Sequence, residues 1–186
     1  MLYVQIYYII IQRSCKGVSK KMKHTTKKLV VAALLAALTC VATMIIKVPS
    51  PLKGYINLGD CVVLLAGFML PPTYGFAAAA IGSALADLFL GYVTYAPATL
   101  IIKGGMAIIA FFLFTLLRKR TSTVISAVIS GLAAEVFMIL GYFLFEGILY
   151  GFIPSAVNIP ANAIQGAAGV ILGVALIKLF EKKRLT

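Results

Sequence analysis

Apolar residues along this chain are gathered into long runs, and glycine, proline or charged residues separate one run from the next. Six runs follow residue 28, and the second is the shortest. They are Leu29–Ile46, Leu58–Leu70, Tyr74–Leu90, Ala98–Leu117, Val124–Phe145 and Ser155–Phe180. A helix needs about 20 mostly apolar residues to cross a bilayer. The pattern therefore predicts six transmembrane helices, with the second one tilted, buried among its neighbours, or preceded by a loop that dips into the membrane.

The first 21 residues differ from the rest. Their apolar run, LYVQIYYIII, is too short to span a bilayer, because a spanning helix needs about 20 residues. It also lacks the leading basic region and the small-residue cleavage site of a signal peptide. Met22 precedes a stretch typical of the start of a membrane protein. We interpret residues 1–21 as an N-terminal extension, either a mis-assigned start or an interfacial segment, and residues 22–186 as a single six-helix membrane domain.

Composition supports the membrane class. Hydrophobic residues make up 62% of the chain, charged residues 12%, and the mean hydropathy is +1.04. Soluble domains have about 45–50% apolar and about 25% charged residues. The prediction is an all-α integral membrane protein. Its net charge of +12 does not indicate a nucleic-acid partner, because the basic residues cluster at segment ends, where they contact the lipid bilayer.

The distribution of basic residues predicts the orientation. One side carries Arg13, Lys16, Lys20, Lys21, Lys23, Lys27, Lys28, Arg118, Lys119, Arg120, Lys178, Lys182, Lys183 and Arg184. The other side carries only Lys47 and Lys53. Cytoplasmic loops are enriched in lysine and arginine. Both termini of this multi-pass protein are therefore expected in the cytoplasm of the cell.

Two ionisable residues flank the aromatic turn Gly91–Pro97. Asp87 precedes it and Lys103 follows it, each among apolar residues. Because a charge inside an apolar helix is costly, it usually faces a partner charge, the protein interior or a water-filled cavity. Lys103 is expected to reach Asp87 across this turn or to point toward the sixth segment. The pair is either a structural clamp or part of a polar pocket near one membrane surface.

Further polar residues lie on single faces of the last two segments. Asn158, Asn162 and Gln165 follow a helical spacing in the sixth segment, and Glu135, Met138, Tyr142 and Glu146 do so in the fifth. With the orientation above, most of them fall in the outer half of the membrane, and Glu135 lies nearer its middle. The pattern predicts a pocket that opens to the outside.

The connection Lys47–Gly59, KVPSPLKGYINLG, joins the first two segments on the outer side. A connection of this length without secondary structure of its own is often a lid. It is also compatible with a simple turn, in which Asn57 caps the second helix and Asp60 stabilises its first turn.

Small residues recur at a spacing of four in the first segment, as Ala32/Ala36 and Ala33/Ala37, and the sixth segment carries Gly166, Gly169 and Gly173. Such spacing lets helix backbones approach closely in lipid. Both sets are typical of internal packing, and docking of a separate membrane protein is the alternative for the alanine face of the first segment.

Catalytic and metal-binding patterns are missing from the sequence. There is no phosphate-binding loop, no G-x-S-x-G elbow, and only one histidine, His24. The cysteines, Cys15, Cys40 and Cys61, occur singly and support neither a disulfide framework nor a zinc site. We expect no enzyme activity, cofactor or metal.

Four stretches carry a family resemblance: INLGD at Ile56–Asp60, GSALADLFLG at Gly82–Gly91, PATLIIKG at Pro97–Gly104 and EVFMILGYFLFE at Glu135–Glu146. Together they resemble the substrate-binding S components of energy-coupling factor (ECF) vitamin transporters, over residues Lys23–Arg184. The resemblance implies a six-helix protein that binds a vitamin or precursor near the outer face. It also implies docking, through an A-x-x-x-A pattern in either register, onto a transmembrane coupling subunit with two cytoplasmic ATPases. Toppling in the membrane would release the substrate.

The polar and aromatic residues suggest a substrate class. Stacking would fall to tyrosines, since the chain has no tryptophan, and the amides with Lys103 suit a small heteroaromatic ring rich in hydrogen bonds. A pyridoxine- or hydroxymethylpyrimidine-sized ligand is preferred over riboflavin. The predicted substrate-binding residues are Tyr55, Asp87, Lys103, Glu135, Tyr142, Asn158, Asn162 and Gln165. The alternatives are a self-sufficient carrier driven by ions through Asp87, Glu135 or Lys103, and, less favoured, a membrane-embedded enzyme.

Overall fold

The computed structural model describes residues 25–49 and 55–184. The proposed extension, residues 1–21, and the middle of the first connection lie outside these ranges. The described helices are α1 (Thr25–Ile45), α2 (Gly59–Met69), α3 (Pro72–Phe89), α4 (Ala96–Leu117), α5 (Thr123–Tyr150), α6 (Phe152–Ala156) and α7 (Ile159–Arg184). Two short strands, β1 (Lys47–Pro49) and β2 (Tyr55–Asn57), lie between α1 and α2.

The chain divides into two units, Met1–Val31 and Ala32–Thr186. The first is described only over residues 25–31, which form the start of α1. The second contains the rest of α1 and all the other elements, and the description below concerns that unit.

Each of the six predicted segments forms a helix. Within the described residues, four stretches are long and apolar enough to cross a membrane: Thr25–Ile45, Ala96–Leu117, Thr123–Tyr150 and Phe152–Glu181. Helix α3 has 18 residues and α2 has 11. The helical membrane class is thus supported, whereas six crossings and cytoplasmic termini remain predictions.

Helix α2 forms the centre of the second unit. Ten of its 11 residues, Gly59 to Phe68, are buried. It packs against α3, α4 and α7, while α5 packs against both α4 and α7. A helix hydrophobic all round is typically enclosed by protein or lipid, and here its neighbours enclose it. This explains how a helix shorter than a bilayer span fits the fold.

Helix ends follow the local chemistry. Pro72 and Pro97 lie in the first turns of α3 and α4, where a missing N–H costs little. Ser122 caps α5 by accepting a hydrogen bond from the Ile125 N–H at 3.3 Å. Gly151, with φ of 92°, separates α5 from α6, since that left-handed backbone favours glycine. The sixth predicted segment, Ser155–Phe180, is interrupted after Ala156, where α6 ends, and its long helix begins only at Ile159.

The expectation that the first connection lacks secondary structure was wrong. Strands β1 and β2 pair antiparallel, with Lys47 opposite Asn57 and Val48 opposite Ile56. Valine and isoleucine favour extended backbone, and the residue before a proline, here Val48, is also biased to it. We call this pair of strands the hairpin, and the end of the helices that carries it the hairpin end.

Small residues mediate the close helix contacts. A Cβ added at Gly82 of α3 would lie 2.4 Å from the carbonyl oxygen of Ala36, so α1 and α3 approach backbone to backbone. Ala32 is buried and Ala36 half-buried, whereas Ala33 and Ala37 are exposed. One alanine register therefore serves internal packing and the other faces outward.

The α7 glycines also pack inside. Gly166 and Gly169 face the Glu135 side chain, and Gly173 faces Leu64 of α2. The internal-packing interpretation is confirmed for these three glycines.

Candidate functional site

A cavity opens at the hairpin end. Its empty space is about 490 Å³, a volume that includes open space at its mouth. The C-terminal halves of α1, α3 and α5 contribute to it, as do the N-terminal halves of α4 and α7. Its lining residues are Thr43, Tyr55, Asn57, Ser83, Asp87, Tyr92, Tyr95, Thr99, Lys103, Tyr142, Glu146, Asn162 and Gln165.

An ion pair between Lys103 and Asp60 lies at the base of this cavity. The two residues are 2% and 0% exposed. The other Asp60 oxygen, Oδ2, accepts a hydrogen bond from Gln165 Nε2 at 2.7 Å. Gln165 Oε1 in turn accepts from the backbone N–H of Asn57 at 2.9 Å. The network joins α2, α4, α7 and the hairpin.

This network corrects two expectations. Lys103 forms its ion pair with Asp60 and not with Asp87. Asp60 was expected only to stabilise the first turn of α2, where it does lie, but it is also the buried partner of Lys103. The reason is the central position of α2, whose first turn meets both α4 and α7. Asn57 does accept a hydrogen bond from the Gly59 N–H at 2.8 Å, as expected of a residue that begins this helix, although Leu58 occupies the cap position.

Asp87 is tied to the hairpin instead. Tyr55 donates its hydroxyl hydrogen to Asp87 Oδ1, with an oxygen–oxygen distance of 2.5 Å. Burial and then the Asp87 charge raise the pKa of Tyr55, so the hydroxyl stays protonated and remains a donor. The second carboxylate oxygen, Oδ2, is buried and has no hydrogen-bond partner among the described residues.

Glu146 forms a second acidic position in the cavity lining. Its Oε1 accepts hydrogen bonds from Asn158 Nδ2 at 2.9 Å and from the Tyr95 hydroxyl at 3.3 Å. Burial and the Glu146 charge raise the pKa of Tyr95, which keeps that hydroxyl a donor as well. Glu146 Oε2 is buried without a hydrogen-bond partner in the described part of the chain.

Asn158 departs from the predicted helical face. It lies in the break between α6 and α7, is 2% exposed, and is absent from the cavity lining. Only Asn162 and Gln165 present the expected amide face to the cavity. Because the chain is not helical between Ala156 and Ile159, Asn158 leaves the helical face, and its side chain bonds to Glu146 instead.

Tyrosines form one wall of the cavity. The rings of Tyr55 and Tyr92 have centroids 4.8 Å apart, and those of Tyr92 and Tyr95 meet edge to face at 6.3 Å. Deeper inside, the hydroxyls of Tyr142 and Thr99 are hydrogen-bonded at 3.0 Å. Lys103 Nζ lies 5.5 Å from the centre of the Tyr142 ring.

Glu135 lies outside the cavity lining. It is 3% exposed, and its carboxylate fits against α7 where Gly166 and Gly169 leave room. Within the described residues, neither of its oxygens has a hydrogen-bond partner. Of the predicted substrate-binding residues, the cavity brings together Tyr55, Asp87, Lys103, Tyr142, Asn162 and Gln165.

Sequence reasoning missed several lining residues. Thr43, Ser83 and Thr99 gave no signal, because hydroxyls in apolar helices commonly bond to their own backbone. Asp60, the partner of Lys103, did give a sequence signal, but we interpreted it as stabilising the start of α2. An acidic residue in an apolar run also suggests a buried partner.

In the described ranges, no three histidine, cysteine, aspartate or glutamate side chains converge to hold a metal ion.

Comparison with known proteins identifies the family. Residues 23–182 match the model of the family described as the ECF-type riboflavin transporter, S component. The chain belongs to this family. The sequence resemblance to ECF S components is thereby confirmed, and the protein is a substrate-binding membrane subunit of a vitamin transporter rather than a member of an enzyme family.

One further relative and two solved structures are also similar to this chain. An uncharacterised protein of Pyrococcus woesei is 31% identical over 144 residues, which cover 77% of this chain and 94% of that one. The solved S component of a bacterial ECF transporter superposes with a TM-score of 0.64 at 21% identity, covering 85% of this chain and 97% of the other. The S component for biotin from an ECF-type ABC transporter gives 0.58 at 22% identity, covering 84% and 93%. At these identities, the two structures establish the shared fold.

Proposed function

We propose that this S component captures a small heteroaromatic vitamin or vitamin precursor from outside the cell, in the cavity beneath the hairpin. A transmembrane coupling subunit with two cytoplasmic ATPases then drives release of the substrate to the cytoplasm. The observation that carries the proposal is the cavity itself, whose lining combines tyrosines with amides, hydroxyls and carboxylates and includes Lys103 of the buried ion pair.

The lining favours a ligand of one or two rings, such as pyridoxine or hydroxymethylpyrimidine, over riboflavin. Tyr55 and Tyr92 already pack on each other at 4.8 Å, so a ligand ring stacks on the face of this wall and not between its members. Asn162 and Gln165 add amides to the same lining. Ring stacking with polar groups at the ring edge is the usual way of binding such compounds.

The charge distribution supports an outward-facing cavity. Arg118 pairs with Glu181 at 2.6 Å at the end of α4 opposite the cavity. That end carries the basic α4–α5 connection, and the positive-inside rule places it in the cytoplasm. The hairpin end then faces outside.

We assign docking of the coupling subunit to the Ala33/Ala37 register of α1. Ala32 is buried at 6% exposure, and Ala36 is half-buried with its backbone against Gly82 of α3, so this register is less accessible to a partner. Ala33 and Ala37 are exposed. Small exposed side chains at this spacing permit close approach of another membrane helix.

Native mass spectrometry of the purified protein tests substrate capture, because a tightly held vitamin-sized compound adds its mass to the protein. Reconstitution in liposomes then tests the mechanism. Uptake that requires the coupling subunit, the ATPases and ATP supports the proposal. Uptake by this chain alone, driven by an ion gradient, would establish the self-sufficient carrier instead.

A further inference from the structure

Three hydrogen-bond acceptors in the cavity lining have no partner among the described residues: Asp87 Oδ2, Glu146 Oε2 and Ser83 Oγ. These residues are only 3%, 3% and 2% exposed. Buried polar atoms in proteins are nearly always hydrogen-bonded. A ligand that presents N–H or O–H groups to these atoms would supply the missing donors.

Among the described lining residues, two are carboxylates, Asp87 and Glu146, and one is a cation, Lys103. Lys103 is already paired with Asp60. Within the part of the chain that the structure describes, the side chains that donate hydrogen bonds to Asp87 and Glu146 are neutral: Tyr55 donates to Asp87, and Tyr95 and Asn158 donate to Glu146. Neither carboxylate forms an ion pair with a described cation.

The tyrosine wall suits the same ligand chemistry. The faces of aromatic rings attract cations through their quadrupole. Tyr142 already lies under the Lys103 ammonium at 5.5 Å. Tyr55, Tyr92 and Tyr95 line the same cavity as the two carboxylates.

From this geometry we infer that the ligand is a positively charged nitrogen compound of the heteroaromatic class, with the charge on a protonated or quaternised nitrogen. Asp87 and Glu146 bind the charge and its N–H or O–H donors, Ser83 binds a further polar group, and the tyrosines pack on the ring. Anionic vitamins are disfavoured, because their carboxylate would add a third negative charge to a buried site. The inference rests on the proposed function and specifies its substrate class.

A charge series on one ring tests this inference. Pyridoxamine, pyridoxine and 4-pyridoxate differ at a single ring substituent, which is cationic, neutral and anionic, respectively. Titration calorimetry on the full-length protein in detergent should give the tightest binding for pyridoxamine, at least tenfold tighter than for 4-pyridoxate. Thiamine, riboflavin and biotin extend the comparison to larger cationic, neutral and anionic compounds.

Asp87→Asn and Glu146→Gln each preserve side-chain shape and remove one negative charge. Each should reduce the preference for the cationic member at least tenfold. Glu181→Gln is the matched control, because Glu181 pairs with Arg118 away from the cavity and is not part of the lining. It should leave the preference unchanged.

Different results would contradict the cationic substrate class and the proposed function. Tighter binding of a neutral or anionic compound, or an unchanged preference in both neutralised variants, would overturn the cationic class while leaving a ring-binding S component. Absence of binding for every ring compound in both series would overturn the proposed function itself. The comparison within the wild-type protein does not depend on the folding of any variant.

Discussion

Replacing Lys103 by methionine should destabilise the protein more than any other single change at the cavity base. Methionine preserves the packing volume but leaves Asp60 as a buried carboxylate with only the Gln165 amide as donor. Both members of the pair are nearly fully buried, at 3% and 0% side-chain exposure. Breaking such a pair costs about 3–5 kcal/mol, which lowers the melting temperature by about 10 °C for a protein of this size.

A second substitution tests the reasoning. Asp60→Asn combined with Lys103→Met removes both charges, and an asparagine oxygen still accepts from Gln165. Because a matched neutral replacement of a buried pair is often nearly neutral, this double variant should recover most of the lost stability. Combining Lys103→Met with Asp87→Asn should give no recovery, since Asp87 is not the partner of Lys103.

Unfolding is measurable through cysteine exposure. The chain has no tryptophan, but Cys40 and Cys61 are free thiols with 9% and 8% exposure. A thiol-reactive fluorescent dye in detergent reports their release on heating, in a Cys15→Ser background. A wild-type melting temperature for Lys103→Met would refute the assigned ion pair. Equal recovery by both double variants would refute the choice of Asp60 as its partner.

Three further predictions concern topology, docking and packing. In cells with intact membranes, an impermeant thiol reagent should label a cysteine placed at Lys47 and not one at Lys119, and the opposite result would reverse the orientation. Ala33→Leu should abolish co-purification with the coupling subunit without changing ligand binding, whereas Ala32→Leu should lower the melting temperature. Retained ATP-driven uptake by Ala33→Leu would show that the Ala33/Ala37 register is not the docking site. Gly169→Ala places a Cβ 2.7 Å from a carboxylate oxygen of α5, and this overpacking should cost about 1–3 kcal/mol in thermal unfolding; unchanged stability would show that the contact relaxes freely.

The apolar runs by themselves determined where the helices lie. Their lengths and glycine or proline boundaries identified six of the seven described helices and missed only the short α6, because these local features decide where a helix begins and ends. The helical period also placed Asn162 and Gln165 of α7 on one face. Because successive helices run in opposite directions, the order of the segments placed the first connection and most of the cavity residues at the same end of the helices. The four motif stretches correctly indicated the ECF S components.

Only the tertiary structure decided which polar groups meet. Lys103 and Asp60 are 43 positions apart, and their pairing depends on α2 being enclosed by α4 and α7. A helical period gives the face on which a side chain lies, but not the neighbour that covers that face. The same limit applied to α1, because the sequence could not distinguish its two alanine registers. In the structure, Ala32 is buried and Ala36 lies against Gly82, whereas Ala33 and Ala37 are exposed. Long-range packing thus determined the charge balance of the cavity, because each buried charge interacts with whatever the neighbouring helices bring to it.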